Sequence, residues 1–572
     1  MDARKSRIAD IFNGNRQIQV PFYQRSYVWK EEQWERLLED LKFTCQRRQS
    51  YFLGAIILKQ KATNTTSEVG DVRTVIDGQQ RLTTLTLFFK VLYLKLSENS
   101  KYERQFTLEN GDSAIEHSKL DKEAFVQAVK ATELVPLTGD SVITKAFNYF
   151  LANVNPDHYD LNVLKNCLNF VVIDLEENDD EQQIFDTINS LGVRLTTGEL
   201  LKNHFFQREN YDYYEAVWKP VFEADNACIS YWNDSVTTGR LKKANIEAFL
   251  YSYLQVKMRD PAFNVSSADR AVYRRSDGLF NSFKHFEQYY FTDSEALIQD
   301  IADYAKIYKE KLNPEIKQYS LTGSPSLDRV NFMIYNLDVA TLIPYVLYVL
   351  MNIEDEEEKN KIFEVLESYI MRRLVCNSKT GNYSDLFSEN LIGNQVVTAS
   401  ALKLYLQSKE PTSSLAIPSN TELEEGFTYT KMTNKRARGI LYMLESRIRS
   451  CAFMATELLP FDRYTLEHIL PQKWALDKWP LPEDVTMEQR NSRLQTMGNF
   501  TILPQPLNTS ISNDSWANKL NGSARNKGLR EYATGLLTLQ DYLSLPKWNE
   551  EDIIRRAIDL AEKAKRIWVI ER

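Results

Sequence analysis

Histidine is nearly absent from this chain: His117, His158, His204, His285 and His468 are the whole supply in 572 residues. Chemistry that needs a proton acceptor near neutral pH has only these candidates. Cysteine is as scarce. Cys45, Cys167, Cys228, Cys376 and Cys451 are scattered with no Cys-x-x-Cys pair, which excludes a disulfide framework and a thiolate zinc site. No Gly-x-x-x-x-Gly-Lys-Ser/Thr loop occurs, so a P-loop NTPase is excluded. The longest near-apolar run, Val339 to Ile353, has 15 residues closed by Asp338 and Glu354. That is short of the ~20 needed to cross a bilayer, and it reads as a buried helix. The opening residues lead into no apolar signal region, so the expected location is cytoplasmic, with no membrane partner. Excess positive charge is missing too: the net charge of −8 argues against a protein that coats nucleic acid by bulk charge. A nuclease remains open, because a local basic groove suffices.

What is present is ordinary globular composition, 43% apolar and 26% charged. At ~150 residues per domain, the length suggests about three or four domains. No internal repeat stands out. The first ~110 residues mix short β-rich runs (Tyr51 to Lys59, Val72 to Ile76) with helical ones, an α/β or α+β pattern. From Glu181 to Lys409 the pattern is mostly helical, and the acidic run Glu354 to Lys359 reads as a solvated helix start or loop. Pro411 to Thr421, with two prolines and five Ser/Thr, is the best linker candidate. Beyond it, Lys435 to Ser450 is a basic amphipathic helix with Ile440, Leu441, Leu444 and Ile448 on one face. The expected fold class is α+β, predominantly helical and multidomain. Its segments are an α/β N-terminal domain over 1–230, a helical middle over 231–410 and a mixed C-terminal domain over 425–572.

Two constellations carry chemistry. In the first, a strand ends at Ile76, Asp77-Gly78 turns, and a helix opens near Gln79 with Leu82, Leu85, Phe88, Phe89 and Leu92 at helical spacing. A helix N-terminus directly after a strand offers unpaired N–H groups to a phosphate. Arg81 can add a bidentate phosphate contact, Gln79 and Gln80 can bond a base or ribose, and Asp77 can hold a metal or water. The competing reading has Asp77 capping the helix and Gly78 only letting the chain turn. Upstream, Tyr23, Gln24, Arg25, Tyr27 and Trp29 place stacking faces, an amide and a guanidinium on one short segment, suited to reading a nucleotide or an extruded base, or simply to packing. Gly54 in the apolar strand Tyr51 to Leu58 permits close backbone approach.

The second constellation surrounds the only histidine after His285. Tyr464-Thr-Leu-Glu-His-Ile-Leu-Pro471 reads as a strand stopped by proline. Met497-Gly-Asn-Phe-Thr-Ile-Leu-Pro504 reads as a second strand entered through Gly498-Asn499, and Pro506-Leu-Asn508 turns into a helix capped near Ser512. Two strands and a helix carrying His, Asn and Asn in order form the ββα-metal arrangement of HNH nucleases. Phosphodiester hydrolysis needs a base for water and a cation for the charge that develops on phosphate. His468 is then the general base, and Asn499 holds the imidazole in its useful orientation. Glu467 and Asn508 are the expected ligands of Mg²⁺ or Mn²⁺. Lys519 is placed to grip a substrate phosphate, or is a solvated lysine. One difficulty is geometric. Adjacent strand residues point to opposite faces, so Glu467 and His468 share a target only if a bend or bulge intervenes.

Pro21-Phe-Tyr-Gln-Arg-Ser-Tyr-Val-Trp29, Phe52-Leu-Gly54, Val75-Ile-Asp-Gly-Gln-Gln-Arg81 and Gln183-Ile-Phe-Asp-Thr-Ile-Asn-Ser-Leu-Gly-Val-Arg-Leu195 resemble the ParB/sulfiredoxin-like N-terminal domain of GmrSD-type restriction proteins. Glu467-His-Ile-Leu-Pro471, Gly498-Asn-Phe-Thr-Ile-Leu503, Asn508 and Asn513-x-x-Trp516-x-x-Lys519 are similar to the HNH domain of the same proteins. The resemblance implies a type IV, modification-dependent DNA endonuclease of anti-phage defence. It also implies nucleotide binding and hydrolysis at Asp77, Gly78, Gln79, Gln80 and Arg81, with an NTP, GTP first, as cofactor. Sensing of modified phage DNA would fall on Tyr23, Gln24 and Arg25. Self-association into a homo-oligomer is open. The alternatives are a nucleotide-gated nucleic-acid sensor without cleavage, and an RNase or suicide toxin using the same HNH site.

Overall fold

The short apolar runs of the N-terminal region pair as one mixed sheet of six strands: β1 (Asp2–Arg7), β2 (Arg16–Gln19), β3 (Tyr51–Gln60), β4 (Asp71–Asp77), β5 (Ile115–Glu116) and β6 (Leu168–Leu175). Their spatial order is β1-β6-β3-β4-β2-β5. The β3–β6, β2–β4 and β2–β5 pairs are parallel, and β1–β6 and β3–β4 are antiparallel. The computed structural model describes residues 2–13, 15–21, 24, 26–61, 71–117, 119–176, 196–206, 211–238, 241–451, 457–511, 513–523, 526–532 and 535–570. Tyr23, Arg25, Ser512 and the 183–195 motif lie outside the described residues. The chain is a predominantly helical α+β protein of two units, Met1–Gln207 and Arg208–Arg572. The helical middle and the C-terminal region share the second unit.

In the first unit one face of the sheet carries the main core, together with α1 (Glu31–Arg47), α2 (Gln79–Lys95), α3 (Lys119–Lys130) and α4 (Val142–Asn153). Ile57, Ile76, Ile173 and Leu175 form a smaller apolar cluster apart from it. The sequence pattern puts one apolar stripe on α2, but nearly the whole helix is buried, Thr83, Thr84, Thr86 and Lys90 included. Its hydroxyls are satisfied locally: Thr84 donates to the Gln80 carbonyl at 2.6 Å and Thr86 to that of Leu82 at 2.8 Å. Thr83 Oγ1 meets His117 Nε2 at 2.9 Å, while the buried His117 Nδ1 has no hydrogen-bond partner among the described residues and faces Asp121 Oδ2 at 3.9 Å.

The second unit is fastened by buried arginines. Helices α5 (Leu327–Asn336) and α6 (Glu356–Val375) are joined where Arg329 Nε and Nη2 each donate to Glu367 at 2.6 Å. Arg372 and Arg373 of α6 donate to the carbonyls of Ser414, Ala416 and Pro418. The linker expected over Pro411 to Thr421 is therefore packed, its peptide oxygens serving as counter-groups for two buried guanidinium ions. Ile343–Asn352 is the buried helix expected inside the 15-residue apolar run. Among the described residues no helix is long and apolar enough to cross a membrane. Asp355 caps α6 over its acidic first turn, as the charge run implies.

Burial pushes the His117 imidazole down to about 3, whereas in the unfolded chain it titrates near ~6.5. Below that value the unfolded chain takes up a proton that the folded chain refuses. The stability is whole above about pH 6.5 and declines as pH falls toward 3. Asp121, whose carboxyl burial raises, works in the opposite sense only near the ordinary carboxylate range. Between pH 6.5 and 5.5 the first unit therefore loses roughly 1 kcal/mol through His117. Thermal melts at the two pH values check this, and His117→Gln flattens the difference.

Candidate functional site

Helix α7 (Asn434–Cys451) lies under a hairpin made of β7 (Tyr464–His468) and β8 (Phe500–Pro504). The strands are antiparallel with His468 opposite Phe500 and Glu467 opposite Thr501, and their register carries no bulge. Helix α8 (Gln505–Ile511) follows β8 at once, so Asn508 sits inside the helix and not before it. Helix α9 (Trp516–Asn521) follows, capped by Ser515. The ββα order read from sequence is present.

His468 ends β7, half-buried, with its ring edge-on to that of Phe500 at 4.8 Å. Burial, with the nearby Lys519 charge second, pushes its imidazole down to about 4, so it is neutral at pH 7. Asn499 makes no hydrogen bond to the ring among the described residues, which corrects the role expected for it. Its fully buried amide clamps the chain just past His468: Oδ1 accepts from Leu470 N at 2.8 Å, and Nδ2 donates to the Leu470 carbonyl at 2.9 Å and that of Leu494 at 3.2 Å. The ring's partner is Gln472, whose amide nitrogen lies 2.9 Å from His468 Nε2. Sequence reasoning missed Gln472; its only signal was a position one turn beyond the histidine, directly after Pro471.

Lys519 is also corrected. Its side chain is fully buried, not a surface grip for phosphate, and its ammonium donates to Glu467 Oε1 and, at 2.9 Å, to the His468 carbonyl. Burial pushes the Glu467 carboxyl up and the Lys519 ammonium down, each against the pull of the pair. Asn508 Nδ2 donates to Thr465 Oγ1 at 2.8 Å and to the Leu466 carbonyl at 3.1 Å, while its Oδ1 has no partner among the described residues. Thr465 and Glu467 share one face of β7, so Asn508 and Glu467 do as well, and His468 takes the other. The regular ladder leaves the alternation intact; the bulge that would aim both residues at one target does not occur. Among the described residues no three His, Cys, Asp or Glu side chains converge on a metal position. The oxygen donors that fit a hard cation here are one carboxylate and one amide, with water and substrate left to complete the shell.

In the first unit, β4 runs through Gly78, at φ +101°, directly into α2, and no side chain caps the turn. Arg81 donates to Asp77 at 2.9 Å and to the Leu53 carbonyl at 3.1 Å. Leu53 and Gly54 fall where the β3–β6 register shifts, and a Cβ on Gly54 would stand 2.1 Å from Arg81 Nη1. Gln80 accepts from Val28 N at 2.9 Å and donates to the Ser26 carbonyl at 3.2 Å. Gln24 donates to the carbonyls of Val75 at 2.6 Å and Ile76 at 3.0 Å. Gln79 is buried. Tyr27 is core, its hydroxyl bonded to Thr84 and Trp34. Gln80 thus ties the Asp77–Arg81 turn to Ser26 and Val28, and Gln24 is tied to the end of β4.

Lys519→Met leaves the Glu467 carboxylate buried and unpaired. The expected loss is about 2–4 kcal/mol, read as a lower urea midpoint for the second unit. Lys519→Met with Glu467→Leu recovers most of it.

The N-terminal domain of the GmrSD restriction endonucleases matches residues 8–206, and the C-terminal domain of GmrSD restriction endonucleases matches residues 417–563. No curated protein matches the chain. The two matches fall one in each unit, in chain order, and together take in more than half of the sequence. The chain belongs to the GmrSD restriction endonuclease family, nucleases of phage defence whose substrate is DNA.

Proposed function

We propose that this chain is a modification-dependent DNA endonuclease in which an NTP-binding first unit governs phosphodiester hydrolysis by an HNH site in the second. The observation that carries the reading is the neutral, half-buried imidazole of His468 at the open end of a strand–strand–helix unit. His468 takes a proton from the attacking water. Asn499 fixes the backbone just beyond it, and Glu467 with Asn508 Oδ1 are the residues that would hold a Mg²⁺ or Mn²⁺ ion. Such an ion supplies stabilisation of the charge that builds on the phosphate and the leaving oxygen. Lys519 acts through Glu467 and the His468 carbonyl, as a positioning residue.

In the first unit the uncapped turn at Gly78 presents the start of a 17-residue helix to a phosphate. Asp77, Gly78, Gln79, Gln80 and Arg81 form the proposed nucleotide site, with GTP as the first ligand to test. Sensing of modified phage DNA is assigned to the Tyr23–Arg25 segment. The support for linking the two is that Gln24 bonds the end of the strand before the turn, while Gln80 of the helix after it bonds Ser26 and Val28. One observation favours a rival reading, a nucleotide-gated sensor that cuts nothing: Lys519 already neutralises Glu467.

Cleavage of a panel of differently modified phage genomes, with Mg²⁺ and with or without GTP, decides between them. His468→Ala is expected to lose ~10²-fold or more in cutting rate. Undiminished cutting by that variant removes the base assignment, and an intact wild-type panel under every condition favours the sensor. Arg81→Ala is expected to abolish nucleotide binding while leaving any basal cutting in place.

A further inference from the structure

Among the basic side chains of α7, one lacks the counter-group the others have. Lys435, Arg447 and Arg449 face the carboxylates of Asp338, Glu364 and Glu445, and Arg438 lies over the Phe461 ring and donates to its carbonyl. Arg436, half-buried, donates to the Asn377 amide oxygen at 2.6 Å and has no carboxylate within ion-pair reach among the described residues. It stands at the start of an 18-residue helix whose first turn holds no acidic residue. Cations there oppose the helix dipole, which favours an anion at that end.

The helix opens onto a cavity of about 300 Å³ bounded by the end of α5, the turn after α6 and the start of α7, at the lower end of the ~300–1,000 Å³ of small-ligand sites. Gly439 lets α7 approach the end of α5 this closely, since a Cβ there would stand 2.3 Å from Leu337 Cδ2. The first bond of α7 runs from Ala437 N to the Thr433 carbonyl at 3.0 Å, so the N–H groups of Asn434, Lys435 and Arg436 precede the ladder. Among the described residues none of the three has a partner.

An observation on a different helix points the same way. Asn336, the last residue of α5, is 8% exposed and lines the cavity, and its Nδ2 has no hydrogen-bond partner among the described residues. Buried amide donors are almost always satisfied, so an acceptor belongs in the cavity. Among the described residues Asp338 is the one carboxylate on its wall, and Lys435 already holds it at 2.6 Å. With Lys435 and Arg436 against Asp338, the lining carries a net charge of +1, and Thr341, Thr380 and Thr433 add hydroxyls. Open helical N–H groups, a guanidinium without a carboxylate and an unanswered amide are donors, and together they suit a tetrahedral oxyanion.

We propose that this cavity is a phosphate site: the N–H groups of Asn434 to Arg436 and the Arg436 guanidinium bind the oxygens, and Asn336 closes the inner end. The phosphate belongs either to the backbone of duplex DNA or to a free nucleotide. The site is separate from the nucleotide site assigned to Asp77–Arg81 and does not depend on it.

Titration calorimetry of the metal-free, full-length chain with inorganic phosphate tests this, in wild type and in Arg81→Ala, so that binding at the turn of the first unit is told apart. Binding should survive Arg81→Ala, weaken about tenfold or more in Arg436→Met, and recover in part in Arg436→Lys. Asn434→Glu places a carboxylate at the helix start. It should keep or raise Tm while weakening phosphate binding about tenfold or more, which separates lost binding from lost folding. Competition by a duplex DNA whose own salt slope falls by about one in Arg436→Met assigns the phosphate to the DNA backbone. Competition by GMP alone assigns it to a free nucleotide, and either result upholds the site. No binding of millimolar phosphate by the wild type, binding abolished by Arg81→Ala, or an affinity unchanged in both Arg436→Met and Asn434→Glu overturns it.

Discussion

A carboxamide taken wholly out of water is costly unless each of its polar atoms finds a partner, and the second unit is arranged around one such group. Asn499 meets the condition with the two backbone groups of Leu470, the Leu494 carbonyl and the Trp548 indole N–H. Its neighbours are held just as tightly. Arg556 of α10 (Glu550–Ile567) donates to the carbonyls of Gly498 and Phe500, on either side of the asparagine. Gly498 must be glycine there, because a Cβ would stand 2.0 Å from the Ile553 carbonyl. The backbone around Asn499 therefore sits hard against α10, and the asparagine transmits that position across to the turn beyond His468. The imidazole is placed by this chain of contacts and not by a bond of its own to Asn499.

Buried charge fastens the rest of this unit by the same logic. Arg329 with Glu367, and Arg490 with Glu550, are ion pairs almost without solvent, and the Trp568 indole adds a bond to Glu367. Pairs of this kind contribute little net stability compared with apolar packing, but removing one partner is severe. Their effect is to forbid alternatives: α6, the 414–418 segment and the end of α10 can meet only where the guanidinium forks of Arg372 and Arg373 find their carbonyls. The first unit spends its polar groups differently. Arg81, Gln80 and Gln24 each bond backbone carbonyls or amides of a neighbouring segment, so the turn Asp77–Arg81 is connected to β3 through Leu53 and to Ser26 and Val28 through Gln80, while Gln24 bonds the end of β4.

Periodicity made the elements legible. Strands β3, β4, β7 and β8 and helices α2 and α7 fall within a residue or two of where alternation and helical spacing put them. The order His468, Asn499, Asn508 was legible too, although Asn499 lies in the 3-10 turn just before β8 and not on the strand. What the sequence hid was the far end of each polar side chain. Asn499 and Gln472 are both amides near one histidine, and nothing local says which reaches the ring and which reaches backbone. Lys519 looked like a surface lysine because its partner Glu467 lies 52 positions away. The Pro411–Thr421 segment has a linker's composition, yet it is packed because arginines some 40 residues upstream need its carbonyls.

Strand parity sets the remaining constraint on the proposed nuclease site. Glu467 and Asn508 share one face of β7 and His468 takes the other, with no bulge to reconcile them. A scissile phosphate that engages both must therefore lie across the end of the strand, where His468 is the last paired residue and the chain turns away at Ile469. At that end Lys519 touches both halves, through the Glu467 carboxylate on one side and the His468 carbonyl on the other. A fully buried ammonium held by two acceptors has little freedom to move, so it fixes the separation of the carboxylate face from the imidazole face. The adjacency of Glu467 and His468 is then no obstacle to a shared substrate: it makes the edge of the strand, rather than either face, the place where the proposed reaction would occur.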